Sequence, residues 1–259
     1  MDRLASGVRS AGRRLLGYCG YWAEGLRTLF LGSPDECPSC GLPFEYDGQL
    51  FLCGRCQLGA NVVEPPVCAR CGKPIRADSA RSGLCADCTA RPRFFELARA
   101  VGVYEGAFKG WIHELKYSSR RALARPIGQL MAYRLWAEPR MADAQVLVPI
   151  PLHADKLRER GFNQALLLAR VMGSILAKRV ADQVLERVRS TRPQGSLSLE
   201  ARYANLRGAF RVTKPREIAG KRVVLVDDLL TTGATCDEAA RALLRAGARS
   251  VAVMVAACQ

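Results

Sequence analysis

The sequence lacks any apolar run long enough to cross a bilayer. Its most apolar stretches, Val223–Val226 and Val251–Ala257, fall far short of the roughly 20 residues a membrane helix needs, so no transmembrane span is expected. No positively charged start followed by an apolar core and a small-residue cleavage site is found either, which makes a reducing cytoplasm the expected setting. Neither GxxxxGK[ST] nor GxGxxG occurs, which excludes Walker-type and Rossmann nucleotide sites. Histidine is limited to two residues; His113-Glu114 is not a zinc protease motif, because Tyr117 stands where the second histidine would be.

Acids are scarce beside bases: 24 Asp and Glu against 39 Lys and Arg, a formal charge of +15. Such a surface attracts polyanions, whether nucleic acid, phosphorylated metabolites or anionic headgroups. High Arg and Ala usage is the bland alternative cause. With 49% hydrophobic content over 259 residues, the chain can fold one ordinary α/β domain and a smaller module. Over residues 1–33, Leu4, Val8, Leu15, Cys19, Trp22, Leu26 and Leu29 recur at helical spacing with Arg9, Arg13, Arg14 and Arg27 between them. That pattern predicts an amphipathic helix. Packing on the next module or a partner is one use for it; a transit segment or peripheral membrane association is the other.

Residues 34–92 carry four CxxC knuckles: Cys37/Cys40, Cys53/Cys56, Cys68/Cys71 and Cys85/Cys88. The segment is turn-rich and poor in core, so it needs a staple, which zinc held by four thiolates supplies. Two structural zinc ions in tandem ribbons are predicted. Sequential and interleaved pairing both satisfy the count; sequential pairing makes each ribbon a local hairpin. A thioredoxin-like dithiol would need a single motif opening a helix in a βαβ unit. Cys19, Cys236 and Cys258 are left over as small apolar residues.

From residue 93 to 259 strand and helix signals alternate. Strands are predicted at Ala98–Tyr104, Val146–Ile150, near Val184–Val188, Val223–Val226 and Val251–Ala256. Helices are predicted at Ala107–Lys116, Ala122–Trp136, about Phe162–Lys178 and Cys236–Ala246, with a polar loop over Ser190–Gly208. This rhythm means an α/β domain: an open, mainly parallel sheet covered on both faces. Ligands of such sheets sit beyond the carboxyl ends of the strands. After Val226 stand Asp227, Asp228, Leu229, Leu230, Thr231, Thr232, Gly233, Ala234 and Thr235. Threonine hydroxyls and open backbone N–H groups at a helix start can wrap a phosphate. The two carboxylates suit neighbouring sugar hydroxyls or a magnesium ion.

The run VVLVDDLLTTGAT closely resembles the signature of type I phosphoribosyltransferases. The resemblance implies that the acid pair holds the ribose hydroxyls of phosphoribosyl pyrophosphate (PRPP) and TTGAT its 5-phosphate, with Mg2+ accompanying the substrate. The turn after Ile150, with Pro151, Leu152, His153, Lys156, Arg158 and Arg160, would hold the pyrophosphate; a solvated helix face paired with Asp155 and Glu159 is the alternative. PIPLHADKLRERGFNQ, ELKY at Glu114–Tyr117 and the knuckles together resemble the ComF family, competence-associated phosphoribosyltransferase-like proteins of bacteria. That resemblance implies a role in DNA uptake with a helicase-like partner.

Arg189–Arg211 holds five arginines against one acid. By resemblance it corresponds to the loop that closes over substrate, with Arg192, Gln194, Arg202, Tyr203, Asn205 and Arg207 as candidates. Tyr203 among arginines could equally stack a base of single-stranded DNA. Two functions follow: phosphoribosyl transfer with release of pyrophosphate, or a non-catalytic single-stranded DNA factor keeping the phosphate loop as a ligand sensor. No residue set defines the acceptor pocket or a general base.

Overall fold

The computed structural model describes residues 36–46, 48, 50–75, 83–117, 120–190 and 199–259. The predicted N-terminal helix lies outside them, as do Arg192 and Gln194.

Two short helices, α1 (Gly54–Leu58) and α2 (Ala86–Ala90), belong to the cysteine-rich region. The α/β unit then runs β1 (Ala98–Val103), α3 (Gly106–Tyr117), α4 (Ala124–Trp136), α5 (Pro139–Ala142) and β2 (Val146–Pro149). It continues with α6 (Ala154–Arg160), α7 (Gln164–Leu176), β3 (Arg179–Val180), β4 (Leu185–Arg187), α8 (Leu199–Leu206) and β5 (Phe210–Val212). It closes with β6 (Arg222–Leu230), α9 (Ala234–Arg245) and β7 (Ser250–Cys258). β1, β7, β6, β2 and β3 form one sheet in that order, with every pair parallel. β4 and β5 pair antiparallel as a separate ribbon.

Parallel strands buried on both faces read as continuous apolar runs, and the side chains alternate between the two faces. Val223 and Leu225 enter one core with Ala239, Ala240 and Leu243 of α9. Val224 and Val226 enter the other with Ile127 and Met131 of α4 and Leu168 and Met172 of α7. The cysteine region divides in the same way: Cys68, Cys71 and Cys88 pack into the first core, and Cys37 and Leu52 into the second. Its two halves therefore straddle the sheet at β1.

The predicted strands and long helices are present, and three expectations are corrected. The strand expected to stop at Val226 runs on to Leu230, paired with β7 to Cys258, so the acids sit inside a strand. The expected turn Pro151–Arg160 winds into α6 after His153, because its run of helix-forming polar residues is capped at both ends. The polar loop Ser190–Gly208 contains α8, whose Leu206 is fully buried. A single apolar anchor was too weak a periodic signal to show it.

Candidate functional site

Each half of the cysteine region gathers four sulfurs within 4.8 Å of one another: Cys37, Cys40, Cys53 and Cys56 in one, Cys68, Cys71, Cys85 and Cys88 in the other. Pairing is thus sequential. Tetrahedral zinc with Zn–S bonds of about 2.3 Å needs sulfurs roughly 3.8 Å apart. Cys40 and Cys53 are at 3.7 Å and Cys71 and Cys85 at 3.6 Å. The backbone N–H of Cys53 points to Cys37 Sγ at 3.4 Å, and that of Cys85 to Cys68 Sγ at 3.3 Å. Burial opposes ionisation of both thiols, yet these and neighbouring N–H groups bring Cys37 and Cys68 down to about 7. The donor set suits structural zinc in both clusters.

The ribbons dock along the edge of β1 by backbone bonds. Ala98 N donates to Arg70 O at 2.6 Å, Val63 N to Val101 O at 2.8 Å and Val103 N to Asn61 O at 2.9 Å. This covers an edge strand that would otherwise expose unpaired polar groups. Gly72, at φ +70, approaches so closely that a Cβ there would lie 2.4 Å from Ala98 O.

β2 and β6 are adjacent, with Pro149 opposite Val226, and from β2 the chain departs outward to β3 before returning to β6 on the other side. That reversal is where open α/β sheets bind ligands. The two predicted loops leave from these neighbouring strand ends. On β6, Asp227 and Asp228 are buried, and Asp228 N donates to Asp227 Oδ1 at 2.9 Å. Burial pushes Asp227 well above the usual carboxylate range; Asp228 adds to this and Lys116 opposes it. Lys116, in the last turn of α3, forms an ion pair with Asp228 Oδ2. Burial lowers the lysine, but Asp228, with smaller help from Asp227 and Tyr117, outweighs it, so its net shift is upward. Arg187 of β4 is attracted by Asp227, though burial pulls it down overall.

Thr231 and Thr232 follow, half-buried. Gly233 then takes φ +78 as the N-cap of α9, a left-handed conformation that glycine adopts without strain. Thr232 Oγ1 accepts from Ala234 N at 3.4 Å. Ala234 is buried and Thr235 half-buried at the helix start. Hydroxyls and the positive end of a 12-residue helix converge here, beside the acid pair.

In the second segment Pro151, Leu152 and His153 are half-buried, and His153 caps α6 with Nδ1 3.4 Å from Asp155 N. Lys156 is exposed, Arg158 pairs with Asp155, and Arg160 Nη1 donates to Gln164 Oε1 at 2.6 Å. Asn163 braces the segment: its Nδ2 donates to Ile150 O and its Oδ1 accepts from Ala165 N, both at 3.0 Å. Of the third group, Arg202, Tyr203 and Asn205 lie on α8 and Arg207 just beyond it, exposed. Arg189 Nη2 donates to Asn205 O at 2.7 Å. Tyr203 reaches the phosphate turn, its hydroxyl 3.3 Å from Thr232 O.

Three side chains at this site escaped sequence reasoning as contributors. Lys116 is separated from Asp228 by more than a hundred residues, and only the ELKY resemblance marked it. Arg91 and Arg93, in the link between ribbon and sheet, lie over the Tyr203 ring at 4.3 and 5.5 Å. Arg93 also acts on the ribbon thiol Cys88 and on Asp237 of α9.

Such a sheet, with acids and a phosphate-type nest on one strand end, defines a phosphoribosyltransferase-type domain behind a double zinc ribbon. The family model described as "Phosphoribosyl transferase domain" matches residues 164–258, and that described as "Double zinc ribbon domain" matches residues 26–90. The chain is 32% identical over 224 residues to "DNA utilization protein YhgH" of Escherichia coli strain K12, covering 85% of this chain and 95% of the relative. It is 26% identical to "Competence protein F" of Haemophilus influenzae, over 78% of this chain and 88% of the relative. Against "Competence protein ComFC" of Bacillus subtilis it is 28% identical, over 85% and 83%. The chain belongs to the ComF family. Among the described residues, no helix is long and apolar enough to cross a membrane.

Proposed function

We propose that this protein binds PRPP between the Asp227–Thr235 strand end and the Pro151–Arg160 segment, and transfers its phosphoribosyl group with release of pyrophosphate. The observation that carries this reading is the juxtaposition on β6 of a buried acid pair with the Thr232–Gly233 start of α9. The acids accept hydrogen bonds from the two ribose hydroxyls. The helix start and the threonine hydroxyls take the 5-phosphate. The other end of PRPP faces the neighbouring strand end, where Lys156, Arg158 and Arg160 stand on α6.

In the reaction the bond from the anomeric carbon to the pyrophosphate oxygen breaks, its electrons leave with pyrophosphate, and an acceptor lone pair forms the new bond. The cations of α6 favour that departure by compensating charge as it develops. Magnesium supplies further charge neutralisation when it arrives bound to the pyrophosphate. The acid pair is a poor magnesium site in its own right, because one of its carboxylates already holds a lysine. α8, tied to the phosphate turn by Tyr203, is positioned to keep water from a cation-like ribosyl centre.

Calorimetric titration of PRPP tests the reading: Asp228→Asn or Thr232→Val is expected to weaken binding by more than about tenfold, the scale of losing a charge-assisted hydrogen bond. Unchanged affinity in both variants would overturn the site.

The names of the relatives place them in DNA utilisation and competence, and the charge of +15 favours a second reading, a role in DNA uptake through direct binding of single strands. A helicase-like partner belongs to the same reading, on the family resemblance. Filter binding across a salt series decides it: several phosphate contacts demand a steep loss of affinity with salt, and a flat response removes it.

A further inference from the structure

The acid pair is the most concentrated negative charge in the site, and the fold has already answered it. Lys116 Nζ meets Asp228 Oδ2 with the two side chains only 18% and 5% exposed. Its position is not that of a free surface lysine. α3 is anchored beneath it by Phe108, Ile112 and Leu115, all fully buried, and the ammonium leaves the helix at its C-terminal end, where the helix dipole favours a cation. Asp227, the adjacent residue, faces the other side of β6, and it feels both Lys116 and Arg187 of β4.

Two acids and two cations make a cluster with no net charge when all are ionised. A divalent cation brought to it would gain little from the carboxylates and would be repelled by two half-buried positive groups. Sugar hydroxyls meet no such obstacle. A carboxylate has about four acceptor sites, so a hydroxyl can donate to Asp228 while the ammonium stays.

We propose that Lys116 is the resident counter-ion of the acid pair, standing where other chemistry would place a divalent metal, so that a ribose 5-phosphate binds here without one. This rests on the ribose-phosphate reading above and deepens it. Magnesium then matters only for a ligand that carries a pyrophosphate.

Calorimetry of the full-length protein with ribose 5-phosphate, which has no pyrophosphate to chelate metal, tests this in EDTA and in millimolar magnesium. Wild-type affinity is expected to differ by less than about threefold between the two buffers, under 1 kcal/mol. Lys116→Met, checked for folding by thermal melting, should lose more than about tenfold in EDTA, since the carboxylates are left uncompensated. Magnesium should restore much of that loss, and Lys116→Arg, which keeps the charge, should lose less affinity in EDTA than Lys116→Met. Wild-type binding that itself requires magnesium, or Lys116→Met binding in EDTA as wild type does, overturns the counter-ion role and leaves the ribose-phosphate site standing. No binding by wild type in either buffer overturns both. The wild-type comparison decides even if the methionine variant fails to fold.

Discussion

The hydroxyl of Tyr203 donates to the carbonyl oxygen of Thr232 at 3.3 Å, joining α8 to the phosphate turn. Arg91 and Arg93 lie over the same ring, so the link from the zinc ribbon, α8 and the Thr232 turn meet at one side chain. Tyr203→Phe removes a single hydrogen bond. It should cost about 0.5–1.5 kcal/mol of stability and loosen ribose 5-phosphate by a few-fold. Tyr203→Ala also removes the cation–π contacts and should cost more in both. Thermal melts and calorimetry on the two variants check this; equal affinities in all three proteins would separate α8 from the site.

The two zinc sites differ in burial. In the first cluster Cys40 is exposed, whereas in the second Cys68, Cys71 and Cys88 are buried. Metal analysis should find two zinc ions per chain, and a chelator should remove them in two kinetic phases. Cys40→Ser is expected to abolish only the fast phase. Cys88→Ser should lower the melting temperature further than Cys40→Ser, because its ribbon packs into the core beneath α9. One phase in the wild type would contradict this ordering.

Asp227 should make the fold less stable as pH rises. Burial, with Asp228 beside it, raises its carboxyl well above the ordinary 3.8. Between that value and the raised one the folded state holds more protons than the unfolded chain, so stability falls with pH across the window. Asp227→Asn should therefore raise the melting temperature at neutral pH, by about 2–4 °C for each kcal/mol relieved. The gain should shrink as pH falls through the ordinary 3.8 and vanish only well below it, where both states of the wild type are protonated. The same variant should bind ribose 5-phosphate more weakly. A lower melting temperature at neutral pH would mean that burial is not the controlling cost.

Gly72→Ala tests the docking of the second ribbon. The added methyl would lie 2.4 Å from Ala98 O at a backbone φ of +70, so strain and collision combine. A loss above about 2 kcal/mol is expected, together with faster hydrogen exchange at Ala98, whose N–H donates to Arg70 O. Gly41→Ala is the control: it shares the positive φ but has nothing within 4 Å, and should cost only about 1 kcal/mol. Equal losses would deny the close approach any role.

Much of the architecture was legible because its signals are local. β6 and β7 announce themselves as apolar runs, and the four knuckles mark metal ligands by their spacing, although the structure decided which knuckles pair. The turn from β6 into α9 was legible for the same reason, since strand, threonines, glycine and helix are contiguous. α8 was missed where polar residues hide the helical period, and α6 was foreseen only as the alternative to a turn. The end of β6 was misplaced because two acids interrupt an apolar run without interrupting its ladder with β7.

The chain's own order of residues was enough to determine that an acid pair would precede a threonine–glycine helix start and that eight cysteines would form metal-ligating knuckles. Only the tertiary structure decided what answers those acids. Lys116, from an early helix, pairs with Asp228, Arg187, from a separate ribbon, feels Asp227, and Arg93, just after the second ribbon, lies beside Tyr203 and Gly233. Contacts of this kind depend on which strands lie side by side and which face each side chain takes. No short-range pattern encodes that, because the electrostatic partner of a buried charge is chosen by packing across the sheet.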